Sequence, residues 1–581
     1  MARELLVLVL ALNACSVKKP ADTENLPLDN KYLFSVSSPK NLVTDIDRVE
    51  AISRAITPFV RVRVLDSIAE RNMADLKPFL AEDFKGRWPD ISLFQKVQTG
   101  TITIAKMTIS GQVLPRAEFL AQAAKTFRSS AVMERRSWKI FDLRIDASKP
   151  THVFVRGHLL LAGKTTSGHR YQLEATTRIK LEGNEKNWVL TAWDFEDATW
   201  SRIKKPSFRD ISALTGFRFF DSQSTKNITQ SLVDMRRLFT AGGLTVYDAN
   251  QDGFWDILST RKGRGARLFL NDGERGFQSQ KIFPNHPDGE AANFYLALDI
   301  NEDGRKDLIS THVVYSSAQR AALALYTQKN RAYAKNNKSF VFSVPEGLRE
   351  LDYSSLISCD VNQDGRLDII ALGYKHADSG GAEFNLVDGK DGLGNLLFLS
   401  DERGGYHESS MTWGLHETQY SYVAECFDFD QDGDVDLFVG NDYGRNNYYE
   451  NVEAKKFVVR EAHPFAASQG FTMGFSMADI ENTGDWSVAL SNMYSHAGQR
   501  IVPFVSELGP RMQASVLALA GGNNLFQRSE DTWKDRAPTL GLNYAEWAWG
   551  NIFFDYDNDG DKDQYVVNGF TTHSDPSAPD F

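Results

Sequence analysis

The chain has 581 residues, of which 42% are hydrophobic and 24% are charged, and its formal net charge is −11. This length allows two domains with complete hydrophobic cores. The negative charge argues against nucleic acid as a partner, because binding to a phosphate backbone requires clustered positive charge.

Residues 1–15 are predicted to be a targeting segment and not part of the fold. Leu5–Leu12 is an apolar run too short to span a bilayer, and Leu12-Asn-Ala-Cys15 resembles a bacterial lipobox. The resemblance implies lipidation of Cys15, and Ser16 implies sorting to the outer membrane, on its periplasmic or surface face. The alternative is a chance cysteine behind a helical start. Residues 16–40 are polar, contain several prolines and are predicted to be a tether.

Residues 41–200 show helices first and long strands afterwards, which predicts an α+β domain. Thr44-x-x-Asp47 is a capping box that opens a helix, and a further helix is predicted near Arg116–Phe127. Strands are predicted at Ser137–Asp146, Thr151–Gly163, Gly168–Gly183 and Asn187–Phe195. The third of these alternates apolar and polar side chains, which is typical of a half-buried antiparallel strand.

This order of elements, with the phrase Ala69–Phe84 (AERNMADLKPFLAEDF), is similar to the NTF2-like/SnoaL-like cone family. The resemblance implies a curved antiparallel sheet around a pocket. The candidates to line that pocket are His158, Trp188, Trp193 and Asp194. The alternative for all four is ordinary strand packing or surface.

Acidic nonapeptides recur through residues 205–581, with first residues at Asp248, Asp299, Asp360, Asp428, Asp479 and Asp555. Five read Asp-x-Asn/Asp-x-Asp-Gly-x-x-Asp, and Asp479–Ser487 keeps the frame without the carboxylates at positions 5 and 9. Side-chain oxygens at positions 1, 3, 5 and 9 and the backbone carbonyl of position 7 match the oxygen preference of Ca²⁺, and the glycine turns the backbone. About five structural Ca²⁺ ions are therefore predicted, with Asp479–Ser487 left without metal. The predicted ligands are Asp248, Asn250, Asp252, Phe254 and Asp256; Asp299, Asn301, Asp303, Arg305 and Asp307; Asp360, Asn362, Asp364, Arg366 and Asp368; Asp428, Asp430, Asp432, Asp434 and Asp436; and Asp555, Asp557, Asp559, Asp561 and Asp563.

The loops are not EF-hands, because position 12 lacks the bidentate glutamate and short strands flank each loop where an EF-hand has helices. The loops recur at intervals of roughly 50 to 75 residues, and this period is typical of a propeller or array. About four short strands for each repeat predict a mainly β fold, a β-propeller of six or seven blades, in which each loop joins two strands of one blade. The segment Ile501–Ala520 is predicted to be a helical insertion.

The loops and their flanking strands resemble the FG-GAP/VCBS repeats of integrin-α-type propellers. Met473–Asp479, Ser491–Ile501, Gly522–Phe526 and Trp549–Gly569 more closely resemble bacterial relatives of cartilage acidic protein 1. That resemblance implies a further repeat and a small C-terminal domain, so the propeller is expected either to be C-terminally truncated or to close in another way. Phe208–Phe217, which is like the outer strand of a blade, is the candidate for a borrowed closing strand.

Cys359 and Cys426 lie one and two residues before their loops, in equivalent strands of neighbouring blades. Their side chains are therefore expected on opposite sides, as buried thiols without a disulfide.

The leading hypothesis is a non-catalytic lipoprotein at the cell envelope, whose calcium-stabilised propeller binds a protein or glycan. Walker, GxSxG and GxGxxG motifs are absent from the sequence. The alternative is an enzyme with a small-molecule site in the NTF2-like cone or in the propeller funnel. A scaffold for envelope assembly is a third reading.

Overall fold

The computed structural model describes residues 43, 46–70, 72–98, 102–107, 112–184, 187–204, 211–217, 242–261, 265–274, 276–282, 292–317, 320–329, 332–336, 338–344, 351–374, 387–502, 505, 508–529, 532–556 and 558–568. The chain divides into two compact units. Unit 1 draws on Met1–Arg209, Ser495–Ala520 and Gly569–Phe581, and unit 2 on Asp210–Tyr494 and Gly521–Asn568. Within the described residues, no helix is long and apolar enough to cross a membrane. The predicted targeting segment, with Cys15, lies outside them.

Unit 1 begins with short helices and continues with one large sheet. The helices are α1 (Ile46–Pro58), which runs into a π-helical turn (Phe59–Val64), α2 (Leu65–Ala69), α3 (Met73–Leu76) and α4 (Arg116–Thr126). The strands are β1 (Leu80–Gly86), β2 (Gln95–Gln98), β3 (Ile102–Lys106), β4 (Leu114–Pro115), β5 (Ser130–Ile145), β6 (His152–Thr165), β7 (Arg170–Asn184) and β8 (Asn187–Ile203). The predicted helix near Arg116 and the four predicted long strands are confirmed.

The sheet of unit 1 has the order β2-β3-β8-β7-β6-β5, with β1 parallel to β8 and antiparallel to β4. Side chains along β6 and β7 alternate between buried and partly exposed, because successive residues of a strand point to opposite faces. The buried face packs against the helices around a group of aromatic rings, in which Trp88 contacts Phe119, Trp193 and Phe195.

Unit 2 consists of six successive antiparallel sheets, which we number I to VI in chain order. Sheet I contains β9 (Leu244–Tyr247), β10 (Asp256–Arg261), β11 (Gly265–Asn271) and β12 (Phe277–Lys281). Sheet II contains β13 (Tyr295–Leu298), β14 (Asp307–Ser317), β15 (Arg320–Lys329), β16 (Ala332–Lys335) and β17 (Val341–Ser343). Sheet III contains β18 (Tyr353–Cys359), β19 (Asp368–Gly373), β20 (Leu396–Ser400) and β21 (Tyr406–Glu408).

Sheet IV contains β22 (Tyr420–Phe427), β23 (Asp436–Asp442), β25 (Asn447–Asn451) and β26 (Phe457–Val459), with the short pair β24 (Gly444–Arg445) and β27 (Gln469–Gly470) beside it. Sheet V contains β28 (Gly474–Ala478), β29 (Ser487–Ser491), β30 (Asn524–Ser529) and β31 (Thr532–Asp535), and sheet VI contains β32 (Ala548–Phe554) and β33 (Asp563–Asn568). The short helices of unit 2 are α5 (Ser212–Thr215), α6 (Pro464–Ala467) and, after the two insertion helices described below, α9 (Ala537–Leu540).

Neighbouring sheets of unit 2 pack face to face. One apolar cluster joins sheets I and II, a second joins II and III, a third joins III and IV, and a fourth joins IV and V. Phe553 of β32 packs against buried residues of sheet V. Among the described residues no apolar cluster joins sheet VI to sheet I, so the packing they show is a row of sheets rather than a closed ring.

A disulfide joins Cys359 to Cys426, with Cα atoms 6.4 Å apart. The prediction of two separate buried thiols is therefore wrong. Its premise was sound, since the two cysteines are out of phase by one residue on equivalent strands, β18 and β22. Because sheets III and IV stack on each other, the upper face of one meets the lower face of the next, and side chains on opposite faces are the ones that meet.

Two other sequence predictions concern the ends of unit 2. The predicted insertion Ile501–Ala520 is confirmed as helical over α8 (Pro510–Leu519), and α7 (His496–Ile501) precedes it. Both helices lie between β29 and β30 and are grouped with unit 1. Of the proposed closing segment Phe208–Phe217, residues 211–217 are described. They include α5, and Phe217 packs on Phe269 and Phe277 of sheet I at ring distances of 4.6 and 5.3 Å.

Candidate functional site

The six acidic loops share one hydrogen-bonded conformation. The first aspartate accepts the backbone N–H groups of positions 5 and 6; at Asp248 these come from Asp252 (3.1 Å) and Gly253 (2.9 Å). The same pair of bonds is present at Asp299, Asp360, Asp428, Asp479 and Asp555. The loop backbone therefore wraps around the carboxylate of position 1.

Position 4 of all six loops has a left-handed backbone, a feature not predicted from the sequence. The φ angles are 62° at Gln251, 56° at Glu302, 56° at Gln363, 69° at Gln431, 54° at Asn482 and 59° at Asn558. A positive φ costs a non-glycine residue of order 1 kcal/mol or more, and it persists only where the surrounding structure fixes it. The hydrogen bonds to position 1 supply that constraint. The sequence does carry a sign of this shared conformation, because position 4 is Gln, Glu or Asn in all six loops.

The glycine at position 6 is required by its conformation and not by crowding. Gly253, for example, has a φ of 88°, and a side chain built on it would meet no atom within 4 Å. The same open space surrounds the corresponding glycine of the other five loops. A left-handed backbone at this point turns the chain back towards position 1.

The fourth loop brings three carboxylates together. One oxygen from each of Asp428, Asp430 and Asp432 lies within 4.8 Å of the others. Burial raises the pKa of Asp430, and the neighbouring carboxylates add to the effect. Three anionic oxygens at this separation form a donor set that suits a hard cation such as Ca²⁺.

Asparagine replaces the carboxylate at position 3 in the first three loops. Asn250 donates to Asp252 at 2.8 Å, and Asn362 donates to Asp364 at 3.1 Å. In the third loop the side chain of Arg366, at position 7, also donates to Asp364 at 2.7 Å. The carboxylate at position 5 therefore has polar side-chain partners from the protein itself in the first and third loops.

In the first four loops the aspartate at position 9 is buried and works as a hydrogen-bond acceptor. Asp256 accepts the N–H of Ala249 in its own loop and the N–H of Asn271 on the third strand, both at 2.8 Å. Asp436 accepts the N–H groups of Phe429 and Asn451 and, in addition, the hydroxyl of Tyr448 at 2.7 Å. Position 9 thus ties the loop to the third strand in the first four sheets, a role that the metal-ligand pattern did not reveal.

Burial raises the pKa of these position-9 carboxyls. The pKa of Asp368 is raised to about 6 and that of Asp436 to about 7, against an ordinary value of 3.8, because the carboxylate loses its hydration. A carboxylate has about four acceptor positions, so the two backbone bonds at Asp256 leave room for a cation. At Asp436 three positions are already used.

Side-chain amides connect some loops to their neighbours. Gln251 donates to the carbonyl of Gly304, Gln363 to that of Gly433 (both 2.7 Å), and Asn482 to that of Gly560 (3.2 Å). Each bond runs from position 4 of one loop to position 6 of the loop in the next sheet. Loops one and two, three and four, and five and six are therefore joined in pairs.

Among the remaining predicted ligands, Phe254 donates its backbone N–H to Asp252, Arg305 to Asp303, and Asp561 to Asp559. Asn301 accepts from the N–H of Asp303, and Asp307 accepts from Gln328. Asp434 accepts from Ala454 and is buried. Asp563 accepts from Tyr556. Asp557 lies outside the described residues. The loop Asp479–Ser487, the fifth in chain order, keeps Asp479 in place, with Thr483 at position 5 and the buried Ser487 at position 9.

The four candidate pocket residues of unit 1 do not converge. Trp188, Trp193 and Asp194 are buried, and Arg87 lies 3.6 Å from the Asp194 carboxylate. Trp188 and Trp193 lie opposite Gly183 and Ile179, on the inner face of the sheet, whereas Asp194 lies opposite Arg178 and shares the other face with His158. His158 pairs with Glu174 at 2.9 Å.

Two stretches of unit 2 match a known protein family. Residues 248–310 and 428–490 match a family described as FG-GAP-like repeat. No curated protein matches the chain significantly.

Among solved structures, "The crystal structure of LinA" is similar at 14% identity, covering 27% of this chain and 94% of that chain with a TM-score of 0.20. A putative scytalone dehydratase from Novosphingobium aromaticivorans is similar at 12% identity, covering 26% and 83% with a TM-score of 0.18. An NTF2-like protein of unknown function from Shewanella baltica is similar at 10% identity, covering 26% and 94% with a TM-score of 0.17. At these identities and scores, none of the three indicates an activity for this chain.

Proposed function

We propose that the chain is an exported, lipid-anchored binding protein, whose unit 2 is a β-propeller stabilised by calcium and holds a protein or glycan ligand at the cell envelope. The observation that carries the proposal is the common loop conformation, with three carboxylate oxygens of the Asp428 loop within 4.8 Å of one another. Ca²⁺ would neutralise these charges and cross-link the turn between two strands. The FG-GAP-like repeats support a propeller-like binding module.

A binding role is favoured over catalysis by the position of the polar groups. The acidic side chains of unit 2 described above belong to turns that fix the sheets, and the polar candidates of unit 1 have separate partners, Arg87 for Asp194 and Glu174 for His158. No enzymatic function is therefore proposed. The ligand would contact connecting segments, which on repeat scaffolds carry the specificity.

Calcium binding is tested by counting ions on the purified full chain after dialysis, and by its melting temperature with and without a chelator. About five ions are expected. Each site filled at 100 times its Kd adds about 2.7 kcal/mol to the stability of unit 2, so chelation should lower the melting temperature clearly.

A matched pair of variants makes this test specific. Asp428→Asn should remove one ion. Asp401→Asn should remove none, because Asp401 caps an ordinary turn through the N–H groups of Arg403 and Gly405. A chain without bound calcium, or one whose melting is unaffected by chelation, would show that the loops are acidic turns without metal. The lipid anchor is tested separately by labelling with palmitate, which Cys15→Ala should abolish.

A further inference from the structure

Two kinds of hydrogen bond join neighbouring acidic loops of unit 2. In the first kind, the side-chain amide at position 4 of loops one and three donates to the carbonyl of position 6 in the following loop, at 2.7 Å in each case. That carbonyl belongs to the peptide that links positions 6 and 7. The N–H of the same peptide donates to the predicted ligand at position 5, which is Asp303 in loop two and Asp432 in loop four. The amide therefore holds the peptide that orients a ligand of the next loop.

The second kind of bond runs in the opposite direction, from the third strand of one sheet to the loop of the sheet before it. Gln328 of β15 donates its backbone N–H to Asp307, the position-9 residue of loop two, at 2.7 Å. Its side-chain amide donates to the carbonyl of Ala249 in loop one at 2.9 Å. Asn451 of β25 makes the same two bonds to loops four and three, at 2.9 and 2.8 Å. Loops one and two, and loops three and four, are thus tied in both directions.

Neither kind of bond joins loop two to loop three, or loop four to loop five, among the residues that the structure describes. Position 4 of loop two is Glu302, and an ionised carboxylate is an acceptor only. Gln431, at position 4 of loop four, makes no bond to loop five. On the third strands of sheets III and V the equivalent positions are Ser400 and Arg528, and neither side chain bonds to the preceding loop. The ties between loops therefore alternate along the chain.

These ties allow an ion in one loop to affect the affinity of the next. Gln251 lies between two predicted ligands of loop one, Asn250 and Asp252, so an ion held by those ligands also fixes its backbone. Its side chain then holds the carbonyl of Gly304, and with it the N–H that orients Asp303 in loop two. A loop whose neighbour is already fixed loses less conformational freedom when its own ion binds, and the result is positive cooperativity.

We propose that unit 2 binds Ca²⁺ in two cooperative pairs, loops one and two and loops three and four, and that loop six binds its ion independently. The inference rests on the calcium binding proposed above. Filling one loop of a pair should raise the affinity of its partner by about fivefold or more, which is the range typical of coupled sites.

Two further features distinguish the three pairs of loops. The disulfide between Cys359 and Cys426 joins the strands that lead into loops three and four, so it adds a covalent link to that pair. Loop five keeps its bond to loop six through Asn482, but it lacks the carboxylates at positions 5 and 9. The last pair therefore holds one ion and shows no coupling.

The test measures the filling of loop one alone. Trp255 occupies position 8 of this loop, between the predicted ligands Phe254 and Asp256, so its indole transfers excitation energy to a Tb³⁺ ion held there. Tb³⁺ is the probe, and it is titrated into the full chain after removal of calcium by a chelator. The luminescence that is lost in Trp255→Phe belongs to loop one, and its midpoint in the wild type is the reference value.

Two variants compare the partner loop with a loop of the other pair. Asp299→Asn disables loop two and should raise the Tb³⁺ midpoint of loop one by about fivefold or more. Asp360→Asn disables loop three and is the matched control, so it should leave the midpoint unchanged. Both variants keep an acceptor oxygen at position 1, so both should melt as the wild type does in the presence of chelator.

Two further variants test the hydrogen bond itself. Gln251→Met removes the amide, and in its presence Asp299→Asn should shift the midpoint by about twofold or less, because the bond that carries the coupling is lost. Gln431→Met is the control. It makes the same substitution at position 4 of loop four, where the backbone is also left-handed and no bond joins the next loop, and the shift caused by Asp299→Asn should keep its wild-type size.

Three results would overturn the pairing: a midpoint that Asp299→Asn does not change, equal changes caused by Asp299→Asn and Asp360→Asn, or a shift that Gln251→Met leaves at its wild-type size. The count of bound Ca²⁺ separates this failure from failure of the proposed function. A chain that binds about five Ca²⁺ ions and gives any of these results retains its calcium sites but not their pairing. A chain that binds no Ca²⁺ refutes calcium binding itself, and the pairing with it.

Discussion

The carboxyl of Asp442 offers a test of the buried electrostatics of unit 2. Asp442 ends β23 and is 4% exposed, and the hydroxyl of Tyr374 donates to it at 2.7 Å. Burial raises the pKa of Asp442 to about 7 from an ordinary value of 3.8, against the opposing effect of this hydrogen bond. The folded protein therefore holds the proton more tightly than the unfolded chain, and the change to test is Asp442→Asn.

The sign and size of the effect follow from this difference. The protonated Asp442 carboxyl makes its full contribution to the free energy of unfolding below about pH 4. This contribution is lost as the pH rises from about 4 to about 7, and it does not change further above that range. About three pH units between the two pKa values correspond to about 4 kcal/mol. The wild type should therefore lose up to about this amount between pH 4 and pH 8, in addition to the losses from other groups, and Asp442→Asn should lose that much less.

The assay is urea unfolding of both proteins at pH 4 and pH 8 with calcium held constant. Asp368 and Asp436, whose pKa values are also raised, remain in both proteins, so their contributions cancel in the difference. Asp391→Asn is the control, because Asp391 accepts a hydrogen bond from the hydroxyl of Tyr420 but is exposed; it should behave as the wild type does. Equal pH dependence of the wild type and Asp442→Asn would refute the reasoning.

Two further predictions concern packing. Reductant should lower the free energy of unfolding of unit 2 in the wild type by about 2–4 kcal/mol through loss of the Cys359–Cys426 bond. It should have no effect on the variant in which both cysteines are replaced by serine. A wild-type urea midpoint that does not shift on reduction would show that the bond does not form. Gly157→Ala should destabilise unit 1 by about 1–3 kcal/mol, because a Cβ there would lie 2.7 Å from the ring of Trp138. Gly394→Ala, with open space around it, should melt as the wild type does, and similar losses in both glycine variants would contradict this explanation.

Local patterns in the sequence predicted the regular parts of the fold. The alternation from Tyr171 to Leu181 gave the third long strand of unit 1, which the structure extends to Arg170–Asn184. The repeated frame Asp-x-Asn/Asp-x-Asp-Gly gave the six hairpin turns, because a glycine and a first aspartate at fixed spacing determine the backbone there. Both predictions depend on residues that are close together in the chain.

Contacts between distant residues were harder to predict. The disulfide was missed because the pairing of Cys359 with Cys426 depends on which faces of two stacked sheets meet, and a strand pattern does not state this. The function of Asp256 as an acceptor for the third strand was missed for a similar reason, since its donor, Asn271, lies beyond the loop motif. A side chain that satisfies one role in a motif gives no sign of a second role outside it.

The grouping of α7 and α8 with unit 1 has a consequence for how the protein is made. His496 of α7 stacks on Phe141 and His158 of the unit 1 sheet, each at 6.1 Å between ring centres. These residues leave the ribosome long after β8, and after most of unit 2 has been synthesised. The N-terminal part of unit 1 therefore cannot complete its packing until α7 and α8 have been translated. An expression fragment that ends near residue 200 would expose a surface that the full chain covers.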